Sequence, residues 1–206
     1  MKSSVSIVVP AHNEEAGLGE HISKVQNLLK KRKIAAEIVL VNDNSTDNTG
    51  LVCGKLARKY KNVRVIHRKS DPGMGGALML GTKHARGDIV VWLMGDISDD
   101  LNAIPKFIEN IESGQDMVIA SRYIKGGDPG NLQPMKKFFS KSFSVLSRIL
   151  VGVPVHDVTY AYRAFRKNVA SASKLESKNF AISPEFTLKA PAPPPAGMVP
   201  AVGFTP

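Results

Sequence analysis

Short apolar runs alternate with stretches of helical spacing along the first 121 residues of the chain. Val5 to Val9 is one such run, ended by Pro10, and Glu37-Ile38-Val39-Leu40-Val41 is a second, ended by Asn42-Asp43-Asn44. Both read as buried strands that open into polar loops. Between them Leu18, Ile22, Val25, Leu28 and Leu29 recur at helical spacing with lysines opposite, which predicts an amphipathic crossover helix and hence a βαβ unit. The alternation continues with a helix over Thr46 to Tyr60, a strand over Val63 to His67, a helix over Gly75 to Ala85 and a strand over Asp88 to Leu93. A helix over Asn102 to Glu112 and a strand over Asp116 to Ser121 complete it. This order predicts an α/β fold: a mostly parallel sheet with helices on both faces and right-handed connections.

Beyond Ser121 the pattern changes. Lys125-Gly126-Gly127-Asp128-Pro129-Gly130 is loop chemistry, and a basic, aromatic segment follows from Met135 to Val151. There Lys136, Lys137, Lys141 and Arg148 are interleaved with Phe138, Phe139, Phe143, Leu146, Ile149 and Leu150 over a window that can form one helix. Such a helix can lie on an anionic bilayer with its rings below the headgroups, or cover a core with a solvated basic edge. The stretch 190–206 holds six prolines, which forbid a helix or a central strand, so it is expected to be disordered or extended. Residues 1–189 then form one domain.

The 206 residues, 43% of them apolar, suffice for one sizeable core. Lys plus Arg number 28 against 18 Asp plus Glu, and the net charge of +10 draws the chain to anionic partners: sugar-nucleotide phosphates, acidic lipid or nucleic acid. No nucleic-acid-binding motif accompanies the charge, so nucleic acid is not expected as a partner. The single cysteine, Cys53, cannot form an internal disulfide and reads as a packed thiol of a reducing compartment. No signal-peptide pattern opens the chain and no apolar run approaches the ~20 residues of a membrane span, which predicts a cytoplasmic protein that meets a membrane only at its surface.

In an open parallel sheet, ligands bind at the carboxyl ends of the strands. The polar clusters fall there: Pro10, His12, Asn13, Glu14 and Glu15 after the first strand, Asn42, Asp43, Ser45 and Asp47 after the second, and Gly95, Asp96, Ser98, Asp99 and Asp100 after the fourth. Each has a plain reading alone. Ser45, Thr46 and Asp47 suit the cap of the next helix, Asn13, Glu14 and Glu15 a loop before a helix N-terminus, and Asp99 and Asp100 the start of the helix that follows them. Together, three acidic clusters in one crevice fit a bound cation and hydrogen-bonding sugars better than a bare structural site. No G-x-G-x-x-G follows the first strand, which argues against a dinucleotide-dependent dehydrogenase.

Ser6-Ile7-Val8-Val9-Pro10-Ala11-His12-Asn13-Glu14-Glu15 and Ile38-Val39-Leu40-Val41-Asn42-Asp43-Asn44-Ser45-Thr46-Asp47-Asn48-Thr49 resemble the opening of family 2 glycosyltransferases of the GT-A fold. Ser121-Arg122-Tyr123 and Asp157-Val158-Thr159-Tyr160-Ala161-Tyr162-Arg163 strengthen the match, which spans roughly residues 3 to 189 and points to the polyprenyl-phosphate sugar transferases. The resemblance implies that Pro10, Ala11, His12, Glu14, Val41, Asp43, Gly95, Asp96, Ser98 and Arg122 bind the nucleotide of a GDP- or UDP-sugar. It implies Asp96 as ligand of Mg²⁺ or Mn²⁺ and Asp157 as candidate general base, with a polyprenyl phosphate as acceptor; because such an acceptor is already ionised, Asp157 fits an orienting or structural role equally well. The family carries an aromatic residue where His12 stands and an aspartate where Met94 stands. The stretch from Ala190 departs from the family and is expected to be a truncation or frame change that removes a basic closing loop. The alternatives are therefore an impaired sugar-nucleotide-binding module and a glycosyltransferase with a non-lipid acceptor.

Overall fold

The structure, a computed structural model, describes residues 3–96, 99–123, 133–151, 155–190 and 198–203. Strand β1 (Val5–Ala11), helix α1 (Leu18–Arg32), β2 (Ala36–Asp43), α2 (Thr49–Lys59), β3 (Val63–Arg68), α3 (Met74–His84), β4 (Ile89–Trp92), α4 (Ala103–Glu112) and β5 (Met117–Ser121) follow the expected alternation. After these come α5 (Pro134–Val151), β6 (Arg163–Arg166), α6 (Lys167–Ala172), α7 (Ile182–Lys189) and β7 (Met198–Gly203). Among the described residues seven strands form one sheet in the order β3-β2-β1-β4-β6-β5-β7. Strands β1 to β4 are parallel neighbours, whereas β6 runs antiparallel between β4 and β5. Residues 198–203 of the proline-rich stretch pair parallel to β5 at the sheet edge, where a missing N–H is tolerated.

Side chains alternate across the sheet, so both faces of each central strand are buried. Ile7, Val9, Ile38, Leu40 and Val91 face one layer, closed by Leu18, Ile22 and Val25 of α1, Cys53 and Leu56 of α2, and Ile104 and Phe107 of α4. Val8, Val39, Val41, Val90 and Trp92 face the other, closed by Ala77 and Leu78 of α3, Val169 of α6, and Ile182 and Phe186 of α7. Cys53 is fully buried, and burial pushes its thiol up to about 11, consistent with an inert packed side chain. Helix α5 inverts this arrangement. Its Ser144 and Ser147 are buried, while Met135, Phe138, Phe139, Phe143, Leu146 and Ile149 are exposed.

Candidate active site

The loops that follow β1 and β2 lie side by side because the strands are parallel neighbours, and they are laced together. Asn13 accepts from Thr46 N at 2.9 Å and donates its own N–H to Ser45 Oγ at 3.1 Å. Glu15 accepts from Asn48 N at 2.8 Å, and Glu14 N donates to Thr49 Oγ1 at 2.8 Å. Asp47 accepts from Thr49 N at 2.9 Å and so acts as expected at the start of α2. Ser45 and Thr46, in contrast, do not cap that helix but bond to Asn13. Asn13 and Asn44 sit at φ 56° and 53°, the left-handed region that asparagine tolerates. Much of the polar sequence at these strand ends therefore holds the rim of the crevice in shape.

Inside the rim is a cavity of about 690 Å³, lined by Pro10, Ala11, His12, Glu14, Asp43, Gly95 and Asp96 among the expected residues. His12 Nδ1 lies 2.7 Å from the Asp43 carbonyl oxygen, which fixes the ring edge-on to β2. Asp43 is buried: its carboxylate is ion-paired with Arg68 and accepts from Gly73 N at 2.6 Å. It thus anchors the turn before α3 as well as lining the cavity. Val41 belongs to the second core layer, with Cγ2 3.0 Å from where a Cβ on Gly81 would stand, and is not on the wall. Ser98 lies outside the described residues. Gly95 is required by close approach, because a Cβ there would stand 2.6 Å from the Pro10 carbonyl oxygen.

Gly73, Met74 and Met94 also line the cavity, and three further wall residues, Pro72, Asn179 and Phe180, were not legible in the sequence. Asn179 and Phe180 reach the site only because residues 177–179 pack on the start of α3, where a Cβ on Gly75 would stand 2.4 Å from the Ser177 carbonyl oxygen. Phe180 is 77% exposed at the rim. A cleft of about 830 Å³ also exists at the opposite, amino ends of the strands. Its one carboxylate, Glu37, is already held by Arg64 at 2.8 Å and Ser6 at 2.7 Å, and none of the strand-end clusters reaches it.

Burial raises the pKa of Glu14, and the negative charges of Asp96 and Asp47 raise it further, against the opposing effect of His12. Glu14 and Asp96 therefore share one field in which a positive charge is favoured. Their hard oxygens suit Mg²⁺ or Mn²⁺ shared with a ligand's phosphates. Among the described residues no three His, Cys, Asp or Glu side chains gather as a protein-only cage. Met94 packs against the core layer of Trp92 and Phe186 and supplies no ligand.

Arg122 and Asp157 form a second centre beside the cavity. Arg122 Nε and Nη2 donate to the two oxygens of the fully buried Asp157 at 2.7 and 3.0 Å. Thr159 Oγ1 donates to Asp157 Oδ1 at 3.1 Å and accepts from Arg122 Nη2 at 3.0 Å. Both carboxylate oxygens are engaged, and of the two expected roles this geometry suits orientation of Arg122 better than that of a free base. The two centres are linked through Asp99, buried and absent from the expected ligands. It accepts from Met94 N at 2.9 Å and from the Tyr160 hydroxyl, while the Arg122 guanidinium lies 4.7 Å over the Tyr160 ring.

The pattern described as Glycosyl transferase family 2 matches residues 6–173. The chain is 35% identical over 187 residues to a dolichol-phosphate mannosyltransferase of Pyrococcus furiosus, covering 90% of this chain and 52% of that protein. It is 30% identical over 191 residues to a polyprenol monophosphomannose synthase of Mycolicibacterium smegmatis, covering 89% and 71%. The chain thus spans about half the length of the first of these relatives. Among solved structures it superposes on Mycobacterium tuberculosis glucosyl-3-phosphoglycerate synthase with a TM-score of 0.71 at 19% identity, covering 98% of this chain and 72% of that one. The same enzyme in complex with Mn²⁺, uridine-diphosphate-glucose and phosphoglyceric acid superposes with a TM-score of 0.70 at 20% identity, covering 97% and 69%. The fold is the expected α/β GT-A architecture.

Proposed function

Because the chain belongs to glycosyl transferase family 2, we propose that it binds a GDP- or UDP-sugar at the carboxyl ends of β1, β2 and β4 and transfers the sugar to a polyprenyl phosphate. The observation that carries this reading is the 690 Å³ cavity with Pro10, His12, Glu14, Gly95 and Asp96 on its walls, joined to Arg122 through Asp99 and Tyr160. The names of the two sequence relatives support the lipid acceptor. The bond broken joins the anomeric carbon to the nucleoside diphosphate, and the bond formed joins it to an acceptor oxygen arriving from the opposite face, which inverts the configuration. Arg122, held by Asp157, offsets negative charge on the leaving diphosphate. A phosphate acceptor is already ionised near neutral pH, so a general base is not needed, in keeping with an orienting Asp157. Asp96 and Glu14 would hold the divalent cation, which supplies further charge neutralisation when bound.

The lipid acceptor is supported independently by α5. Its buried serines and exposed rings, with Phe138 67% and Ile149 74% exposed beside Lys136, Lys137 and Lys141, suit a surface of apolar chains under anionic headgroups. Among the described residues no helix is long and apolar enough to cross a membrane. A second reading, a sugar-nucleotide-binding module with feeble turnover, is favoured by Met94, which leaves the cation one carboxylate short. Thermal unfolding with GDP and UDP, with and without Mn²⁺, tests the donor site: a diphosphate at about 100 times its Kd should add about 2.7 kcal/mol to stability. No stabilisation by either would sink the proposal. Transfer from a nucleotide sugar to a polyprenyl phosphate in detergent separates the two readings.

A further inference from the structure

We propose that Asp99 and Tyr160 are positioning residues that set the separation between Asp96 and Arg122, so that a bound diphosphate and its cation meet both groups together. This rests on the cavity being the donor site. Asp99 holds the backbone on the amino side of Asp96: Met94 N donates to Asp99 Oδ2 at 2.9 Å, and Asp99 Oδ1 accepts from the Tyr160 hydroxyl. One residue further, the Asp100 carbonyl accepts from the Tyr162 hydroxyl at 2.9 Å. Tyr160 and Tyr162 thus strap the acidic segment to the strand-like stretch before β6, and their rings meet edge-on at 6.2 Å.

The same Tyr160 ring supports Arg122, whose guanidinium lies 4.7 Å above it. The Tyr160 carbonyl is in turn fixed by Arg163 Nη2 at 2.6 Å, from a fully buried side chain. The path from Met94, two residues before Asp96, to Arg122 therefore runs through two side chains, Asp99 and Tyr160. A loop closure alone does not require it, since asparagine or serine could accept from Met94 N without the cost of burying a carboxylate. What the carboxylate adds is a strong, charge-assisted bond to Tyr160. With Met94 in place of a carboxylate ligand, a cation depends on the placement of Asp96 relative to the diphosphate that Arg122 engages.

The test is calorimetric titration of the whole chain with GDP and UDP, with and without Mn²⁺. In Tyr160→Phe the ring under Arg122 is kept and only the hydroxyl is lost. Its metal-free affinity should stay within about twofold of wild type, while the gain in affinity brought by Mn²⁺ falls about tenfold. Asp99→Asn should behave alike, and the double variant should be no worse than the poorer single one, because both break the same link. An unchanged Mn²⁺ gain in folded variants, or losses that add, overturns the proposal. If Tyr160→Phe fails to fold, Asp99→Asn carries the comparison, and loss of fold in both overturns it in favour of a purely structural role. Wild-type protein that binds neither diphosphate overturns the donor-site reading itself, which the variants cannot do.

Discussion

Asp157 and Asp99 are both buried carboxylates, held by different partners. Asp157 lies against Arg122, so Asp157→Asn leaves a guanidinium whose side chain is 14% exposed without its counter-charge. Breaking such a pair costs about 3 kcal/mol, and urea unfolding should show that loss. An unpaired catalytic carboxylate at this position would instead give a variant of undiminished stability. Burial pushes Asp99 up from 3.8 to about 6, with Asp96 adding to the rise and the bonds from Tyr160 and Met94 N and the charge of Arg122 opposing it. The folded form thus holds this proton more tightly than the unfolded chain. The stabilisation is complete below about pH 4 and is lost as pH rises through about 6. Relative to Asp99→Asn, wild-type stability should therefore fall between pH 4 and 7, by at most about 3 kcal/mol for a two-unit shift. Parallel profiles for the two proteins would show that the carboxyl is not strained.

Helix α7 and the segment before it illustrate what an element does for the site. Glu185 accepts from the backbone N–H groups of Glu176 and Ser177 at 2.9 and 2.8 Å and from Lys189 at 2.8 Å, closing the loop that carries Asn179 and Phe180. What burial it has pushes Glu185 up, but these partners pull it further down, to about 2. Its contribution is present above pH 4.5 and is lost as pH falls toward 2, so Glu185→Gln should speed amide exchange at 176–180 at pH 7 and match wild type near pH 2. Helix α5 makes the complementary prediction. Removing the charges of Lys136, Lys137 and Lys141 together should weaken binding to anionic vesicles by roughly two orders of magnitude at low salt, at about 1 kcal/mol per lysine. Phe139→Ser with Phe143→Ser should weaken it at all salt concentrations without lowering the melting temperature, because both rings are exposed. Strands β1 to β5 and their helices were legible because long apolar runs and helical periodicity persist there. Strand β6 was not, since Arg163-Ala164-Phe165-Arg166 has charged ends and four residues. The polar strand ends were legible as a site and the resemblance set His12 apart from Asn13, but what makes the division, with Asn13 lacing loops while His12 faces the cavity, was not legible. That division depends on pairings across more than 30 residues, such as Asn13 with Thr46 and Asp43 with His12.

At the scale of the molecule the sheet has two halves of different origin. Strands β3, β2, β1 and β4 are neighbours joined by helical crossovers within residues 5–92, and they carry most of the cavity wall. Strands β4 and β5 do not touch each other among the described pairings. They are joined only through β6, which inserts antiparallel between them from residues 163–166. That insertion sets an order in time. Ile89 pairs with Arg166 across more than 70 residues and Val5 with Ile89 across more than 80, so loop closure does not separate the two halves, but the order of synthesis does. A chain emerging from the ribosome can assemble β1 to β4 while β6 is still unmade. Hydrogen exchange on nascent chains stalled before residue 117 should already show protected amides within residues 5–92. Arg122 and Asp157 follow β4 in the chain, so the growing chain holds an acidic crevice before it acquires the arginine that offsets it.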